Sequence, residues 1–315
     1  MLNGNPEMIL TAITRPDGLS IRCFVESSPD TPEDAPLVIV VPPYARTMCE
    51  TFVTSLYLTH NGFRVWRFDF TNHIGSSDGN IFDFTLSSAI RDLETVIAAL
   101  RCRYEKAPVG VVSSSLGSRA AFRALKGRVD IAMIVSLVGV VNVRNTLYSI
   151  LGRDLIGDIL NGRAMAPSWE IFGYTSSTRF LSDVIEHDLY SLESTKNDVS
   201  GCDFPLAQIS AESDPWSRLE EVESVFLTNG SSAPREIYVL PGASHKLENN
   251  PSAARNALCQ AIKVLKYYIA GQEIQAAEVK CPSFHEIVEK NRLERGLEKS
   301  GYSQAGTYAS QPVLP

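Results

Sequence analysis

Short apolar runs typical of β-strands alternate along this chain with longer segments whose apolar residues recur at helical spacing. Residues 37–41 form a mostly β-branched run, which is typical of a strand buried on both faces. The predicted strands are residues 8–14, 20–25, 37–41, 64–68, 109–112, 131–137, 204–210 and 236–240, and the predicted helices are residues 52–60, 85–103, 116–126, 216–227 and 250–270. This alternation predicts an α/β fold with a mostly parallel, twisted sheet, helices on both faces and an antiparallel hairpin at the start.

The alternation fails between two consecutive predicted strands, where about sixty residues intervene. Apolar residues at helical spacing predict that residues 142–203 form a mainly helical cap, inserted after the sixth strand. Packing of the cap on the core explains most of these apolar side chains. Some of them, with Ile156 and Phe172 as candidates, are expected to line a pocket for an apolar substrate.

The remaining chain divides into a core and a tail. Residues 1–141 and 204–270 are expected to form the sheet and its covering helices. Residues 271–315 are polar and predict a C-terminal extension, with a charged helix over 284–299 and a flexible end over 301–315.

Composition narrows the class of protein. The apolar runs are too short or too interrupted to span a bilayer, and the first residues lack the features of a secretory signal, so we expect a cytoplasmic protein. The net charge of −7 and the lack of a basic block argue against nucleic acid as a partner. Six scattered cysteines without a C-x-x-C pair predict reduced thiols and no metal site.

A cluster of small residues follows the predicted strand at 109–112 and precedes a predicted helix. Such a strand, sharp turn and helix can present a nucleophilic serine at the end of a parallel sheet. Ser115 fits best because Gly117 lies two positions after it, and Ser113 stands two positions before it. A serine-rich helix N-cap gives a similar pattern, so the motif alone is not decisive.

Asp214 and His245 each follow the carboxyl end of a later predicted strand. Their order after Ser115 is that of a serine triad on such a sheet, in which His245 takes the serine proton and Asp214 orients the imidazole. Each residue alone has a simpler explanation. Asp214 precedes a proline that could start a helix, and His245 could lie in a polar turn. The ordered placement of all three at strand ends predicts a triad.

An oxyanion hole for acyl transfer needs two N–H donors. One is expected to be the backbone N–H of Leu116, directly after the nucleophile. The other should lie in the loop after residues 37–41, where Pro42 and Pro43 have no N–H, so Tyr44 is the first possible donor. His73, in another loop after a strand, could face the pocket, although that loop is more often structural.

Several stretches resemble the acyl transferases of bacterial luminescence operons, which are serine thioesterases that release myristic acid from acyl carrier protein. The matching stretches are residues 44–48 (YARTM), 61–65 (NGFRV), 72–77 (NHIGSS) and 139–144 (GVVNVR), together with Ser115, Leu116, Arg119, Asp214, Trp216, Glu221, Val222, Gly242, Ser244 and His245. The resemblance runs from about residue 17 to about residue 270. It implies an α/β-hydrolase fold, a Ser115–Asp214–His245 triad and an acyl-enzyme intermediate.

The chain departs from the family pattern at Pro42–Pro43 and around Ser115, so a polyketide, nonribosomal peptide or other lipid pathway is equally open. We therefore expect a serine thioesterase or acyl transferase without a cofactor. Its substrate would be a medium-to-long acyl or polyketide-like thioester of acyl carrier protein or coenzyme A. The alternatives are a carboxylesterase, acyltransferase or carbon–carbon bond hydrolase with the same triad, and a catalytically silent binding module. The sequence leaves the final acyl acceptor and the oligomeric state open.

Overall fold

One large sheet organises the computed structural model, which describes residues 7–164, 166–227 and 232–299. Its eight strands are β1 (Glu7–Thr14), β2 (Ser20–Ser27), β3 (Leu37–Val41), β4 (Arg64–Phe68), β5 (Val109–Ser114), β6 (Met133–Leu137), β9 (Leu206–Ala211) and β10 (Arg235–Leu240). They lie in the order β1-β2-β4-β3-β5-β6-β9-β10. The pairs β1/β2 and β2/β4 are antiparallel and the others are parallel. The mostly parallel sheet with an opening hairpin is confirmed.

Helices cover both faces of this sheet. They are α1 (Phe52–His60), α2 (Leu86–Arg103), α3 (Leu116–Leu125), α4 (Val143–Leu151), α5 (Leu155–Leu160), α6 (Thr178–Glu186), α7 (Leu192–Ser200), α8 (Leu219–Phe226), α9 (Pro251–Ala270) and α10 (Phe284–Lys299). Successive β3 side chains point to opposite faces, as the pleat requires. Leu37 and Ile39 pack in one apolar cluster with α2 and α3, whereas Val38 and Val40 pack in another with α1 and α9.

The stretch between β6 and β9 contains α4 to α7, so the insertion of helices after the sixth strand is confirmed. It also contains a hairpin of β7 (Ser168–Ile171) and β8 (Tyr174–Ser177), which the expectation of a mainly helical cap did not include. Phe172 and Gly173 form its two-residue loop with φ of 54° and 81°, and hairpins favour such paired positive φ values. Cap side chains such as Leu147 and Phe180 belong to the same apolar cluster as α2 and α3, so the cap packs directly on the core.

Most element boundaries lie within two residues of the sequence predictions. The helix expected over 216–227 begins at Leu219, and the strand expected over 131–137 begins at Met133. The predicted charged helix over 284–299 is present as α10. The expected flexible end at 301–315 lies outside the described residues. No helix in the described ranges combines the length and the apolarity needed to cross a membrane.

Candidate active site

The sharp turn between β5 and α3 holds Ser115 in a strained backbone conformation. Its φ of 50° and ψ of −127° lie outside the regions that L-residues favour. The N–H of Ser115 donates to the carbonyl of Leu137 at 3.0 Å, and the N–H of Val140 donates to the carbonyl of Ser115 at 3.0 Å. Hydrogen bonds to the end of β6 therefore sustain the strain, in the manner of a nucleophile elbow.

Gly117 allows a second loop to approach this turn. A Cβ atom at Gly117 would lie 2.3 Å from the carbonyl oxygen of Pro42 and 3.2 Å from a methyl group of Val41. Only glycine accommodates so close a backbone approach. The glycine two positions after Ser115 thus brings the loop after β3 against the first turn of α3.

A chain of hydrogen bonds joins the three residues expected to form a triad. The Ser115 hydroxyl and Nε2 of His245 are 2.7 Å apart, and Nδ1 of His245 is 2.7 Å from Oδ2 of Asp214. Asp214 and His245 are both buried. The distances match those expected for a nucleophile, a base and the group that orients the base.

The carboxylate of Asp214 is fixed through its other oxygen. Oδ1 accepts hydrogen bonds from the backbone N–H groups of Trp216 at 2.8 Å and Ser217 at 3.0 Å. The Trp216 ring also packs against His245, with 4.5 Å between ring centroids. These contacts fix the relative positions of the Asp214 carboxylate and the His245 imidazole. The two hydrogen bonds also keep residues 216–217 out of α8.

The two amides expected to form the oxyanion hole belong to residues of the same cavity wall as Ser115. Among the described residues, the N–H groups of Tyr44 and Leu116 donate to no protein acceptor. The Tyr44 side chain lies 2.7 Å from the Ser176 hydroxyl of β8, which links the loop after β3 to the cap. Both amides are therefore free to bind a ligand oxygen.

An apolar cavity of about 50 Å³ lies between the elbow and the cap. That volume is far smaller than the roughly 300–1,000 Å³ of a typical ligand pocket. The cavity is lined by Tyr44, Ser115, Leu116, Val140, Val143, Thr146, Leu147, Ile150, Ile171, Phe172, Ser176, Phe180 and Trp216.

The two pocket candidates from the cap have different positions. Phe172 lines the cavity and is 43% exposed, with its ring 5.3 Å from that of Trp216. Ile156 is buried in the apolar core and is not a lining residue, because its face of α5 packs toward the core. Ile150 of α4 lines the cavity instead. Ser176 could not be identified from the sequence, because the polar, turn-like residues of β8 do not indicate that this strand reaches the site.

Two buried titratable groups lie behind the loop that carries Tyr44. Burial lowers the pKa of His73 to about 4, so its imidazole is neutral at pH 7. Burial raises the pKa of Asp69 to about 7, although its carboxylate accepts hydrogen bonds from the N–H groups of Met48 and Ser76. Neither side chain belongs to the cavity wall.

The cysteines are free thiols. The sulfurs of Cys259 and Cys281 are 3.8 Å apart, well beyond a disulfide bond of about 2.05 Å. Within the ranges that the structure describes, no group of three or more His, Cys, Asp or Glu side chains could hold a metal ion.

Comparison with known proteins identifies the family. Residues 17–299 match the family model described as acyl transferase. The chain belongs to the acyl transferase family. The family match confirms the resemblance drawn from the sequence motifs, and it extends past the last residue of that resemblance through α10.

Two relatives illustrate the similarity within this family. An acyl transferase from Photobacterium leiognathi is 31% identical over 268 residues, which cover 83% of this chain and 83% of the relative. One from Photobacterium phosphoreum is 32% identical over 220 residues, covering 70% of this chain and 71% of the relative.

Solved structures establish the fold of this acyl transferase. Est1E from Butyrivibrio proteoclasticus, solved with bound ferulic acid, superimposes with a TM-score of 0.69 at 15% identity. The superposition covers 83% of this chain and 99% of Est1E. The fold is that of an α/β-hydrolase, as the motif resemblance implied, and the family match makes the protein an acyl transferase.

Proposed function

We propose that this acyl transferase works through an acyl ester on Ser115, with His245 as general base and Asp214 as the group that orients it. The observation that carries the proposal is the unbroken hydrogen-bonded chain from Asp214 through His245 to Ser115, at the wall of an apolar cavity. A serine hydroxyl is a weak nucleophile at neutral pH, and an adjacent imidazole base makes it reactive.

The reaction divides into two half-reactions. Oγ of Ser115 attacks the carbonyl carbon of the acyl donor while its proton moves to Nε2 of His245. Asp214 keeps the Nδ1 proton in place and stabilises the imidazolium. Collapse of the tetrahedral intermediate breaks the bond to the leaving group, which receives the proton from His245. Water or another acceptor then gives a proton to His245, attacks the acyl ester and releases Ser115 in its protonated form.

The negative charge on the tetrahedral intermediate needs donors that are already in place. The free N–H groups of Leu116 and Tyr44 supply them, because both residues share the cavity wall with Ser115. One such donor contributes about 3–4 kcal/mol to transition-state stabilisation. Close packing of Pro42 against Gly117 favours a fixed spacing between the two loops.

The substrate we propose is a medium-to-long acyl or polyketide-like thioester, carried on acyl carrier protein or coenzyme A. Its support is the apolar lining, in which Leu147, Ile150 and Phe180 offer contacts to a hydrocarbon chain. Transfer of an acyl group also requires an activated donor, and a thioester is one. The cavity is smaller than such a chain, so the proposal requires the cap to move away from the core when the chain enters.

A fluorophosphonate probe tests this assignment. We expect the probe to label wild-type protein on Ser115, and the label to be mapped there by peptide mass spectrometry. Ser115→Ala should show no labelling, whereas Ser114→Ala, which removes the neighbouring hydroxyl, should be labelled like the wild type. His245→Ala should slow labelling about 10⁴-fold, because the serine loses its base.

Three results would contradict the proposal. These are equal labelling of wild type and Ser115→Ala, labelling mapped to another serine, or an unchanged rate in His245→Ala. A comparison of kcat/KM for an acyl pantetheine thioester and for the oxygen ester of the same chain decides the leaving group. A clear preference for the oxygen ester would overturn the thioesterase assignment and favour a carboxylesterase.

A further inference from the structure

His73 contacts the backbone of the loop that carries the Tyr44 amide. Its Nε2 accepts a hydrogen bond at 3.0 Å from the N–H of Ala45, the residue directly after Tyr44. The His73 side chain is 4% exposed. The contact therefore lies beneath the loop and not in the cavity, whose lining includes Tyr44 but not His73.

Aromatic rings fix the orientation of this imidazole. The ring centroids of Phe84 and Tyr44 lie 4.9 Å and 5.3 Å from that of His73, and the centroid of Phe70 lies 6.0 Å away. Since Nε2 is the acceptor, the proton of the neutral ring is on Nδ1. The packing thus presents a defined acceptor to Ala45.

The backbone around Ala45 needs this support. Ala45 has a φ of 61°, a left-handed conformation that is unfavourable for a residue other than glycine. Without an acceptor, its partly buried N–H would lose a hydrogen bond as well. Neither cost applies if the loop adopts another backbone conformation. Such a change would move the adjacent Tyr44 peptide.

The loop after β4, which carries His73, also holds the loop after β3 near its end. Oδ1 of Asp69 accepts a hydrogen bond from the N–H of Met48 at 2.6 Å, and its Oδ2 accepts one from Ser76 at 2.8 Å. The loop after β3 is thus packed against Gly117 at its start, bonded to His73 in its middle and bonded to Asp69 at its end. His73 is the contact closest in sequence to the Tyr44 amide.

We propose that His73 is a positioning residue of the oxyanion hole, which holds the Tyr44 N–H in place through its hydrogen bond to Ala45. The inference rests on the proposed acyl-serine mechanism. It predicts that His73 acts on the transition state and not on substrate binding, because His73 does not reach the cavity. Its loss should therefore lower kcat and leave KM nearly unchanged.

A pair of amide variants tests this inference. Gln places its carbonyl oxygen near the position of the imidazole Nε2, whereas Asn is too short to reach Ala45. We expect His73→Asn to lower kcat about 10- to 100-fold, since a misplaced donor costs up to about 10²-fold. His73→Gln should retain most of the activity. His73→Phe keeps the ring and removes the acceptor, and it should behave like His73→Asn.

Two further measurements separate positioning from packing. The inhibition constant of a trifluoromethyl ketone that forms a tetrahedral adduct with the serine should rise in parallel with the loss of kcat. Phe226→Leu, which loosens a buried aromatic pair with Phe122 away from this loop, should lower the melting temperature with little change in that inhibition constant. Wild-type labelling by fluorophosphonate is measured beside these variants.

The outcomes are distinguishable. If wild type is not labelled on Ser115, the proposed mechanism itself fails. If wild type is labelled but His73→Asn and His73→Phe keep full kcat, or if His73→Gln loses as much as His73→Asn, the role of His73 is overturned. A change in KM alone would also overturn it.

Discussion

Three of the six non-glycine residues with positive φ in the described ranges lie at the candidate site. Ser115, Ala45 and Phe172 all have positive φ, at 50°, 61° and 54°. Each lies in the cavity wall or directly beside a residue that does. Strain of this kind persists only where the surroundings fix the conformation. Here hydrogen bonds to β6, to His73 and across the cap hairpin provide that constraint.

His73 should make stability depend on pH. Its pKa is about 4 in the folded protein because of burial, compared with 6.5 for the exposed side chain. The unfolded chain therefore binds more protons between pH 6.5 and pH 4, and the free energy of unfolding falls as the pH falls through this window. Relative to His73→Gln, wild type should lose about 2 kcal/mol between pH 7 and pH 5.

Denaturant unfolding of both proteins across this pH range measures the effect. The difference between wild type and His73→Gln cancels the titration of the other groups. A difference that is independent of pH would show that His73 titrates normally in the folded protein.

The cap supplies much of the cavity wall opposite Ser115. Leu147 and Ile150 of α4, the β7–β8 hairpin and Phe180 of α6 close the cavity over Ser115. The bond between Tyr44 and Ser176 ties the hairpin to the loop after β3. The cap and the loop that carries the Tyr44 amide are thus directly linked.

If the cap lines an acyl site, kcat/KM should rise with chain length. Each buried methylene contributes about 0.8 kcal/mol, which is close to fourfold, until the site is full. Ile150→Trp should shorten the preferred chain without harming acetyl turnover. Leu160→Trp is the matched control, because Leu160 is an exposed cap residue that does not line the cavity.

The measurement is a series of saturated acyl thioesters from two to fourteen carbons, assayed with wild type and both variants. An equal kcat/KM for all chain lengths would show that the cap packs on the core without binding the acyl chain. The same preferred length in Ile150→Trp as in wild type would place the acyl chain elsewhere.

Elements with a strong local signal could be predicted from the sequence. The helix at Phe52–His60 and the strands at Leu37–Val41 and Arg64–Phe68 begin and end where expected, because each carries a clear apolar pattern. The hairpin β7–β8 was missed because its strands have only four residues each. The later start of α8 follows from hydrogen bonds of the Asp214 carboxylate to the N–H groups of Trp216 and Ser217, a local turn that the helical spacing of apolar residues does not show.

The candidate-site residues that lie at the ends of strands could be predicted from the sequence. Ser115, Asp214 and His245 could be named because chemistry in parallel sheets gathers at those ends. The support given by His73 to Ala45 and the position of Ile156 away from the cavity could not, since both depend on which way side chains face after folding.

In the whole molecule, α10 of the C-terminal extension packs against the core. Lys290 and Glu294 of α10 form a buried ionic cluster with Glu26 and Arg67 of the sheet. Burial alone would raise the pKa of Glu26, but the charges of Arg67 and Lys290 lower it to about 2. The sequence showed only a charged helix, because the partners of Lys290 and Glu294 are more than two hundred residues away.

This cluster connects the tail to the site. Arg67 also donates a hydrogen bond to the carbonyl of Met48, and the Thr47 hydroxyl donates to Glu298 of α10 at 3.0 Å. The loop after β3 therefore rests on the core and on α10 together. The family match through residue 299 agrees with a fold that includes this helix.

The proposed mechanism requires Ser115 to carry the acyl group between donor and acceptor. Intact mass spectrometry after rapid acid quench of the enzyme with a long-chain acyl-coenzyme A detects such an intermediate. We expect a mass gain equal to one acyl group, located on the Ser115 peptide in wild type and absent from Ser115→Ala. Turnover without any adduct in wild type, or the same adduct in Ser115→Ala, would contradict the proposed mechanism.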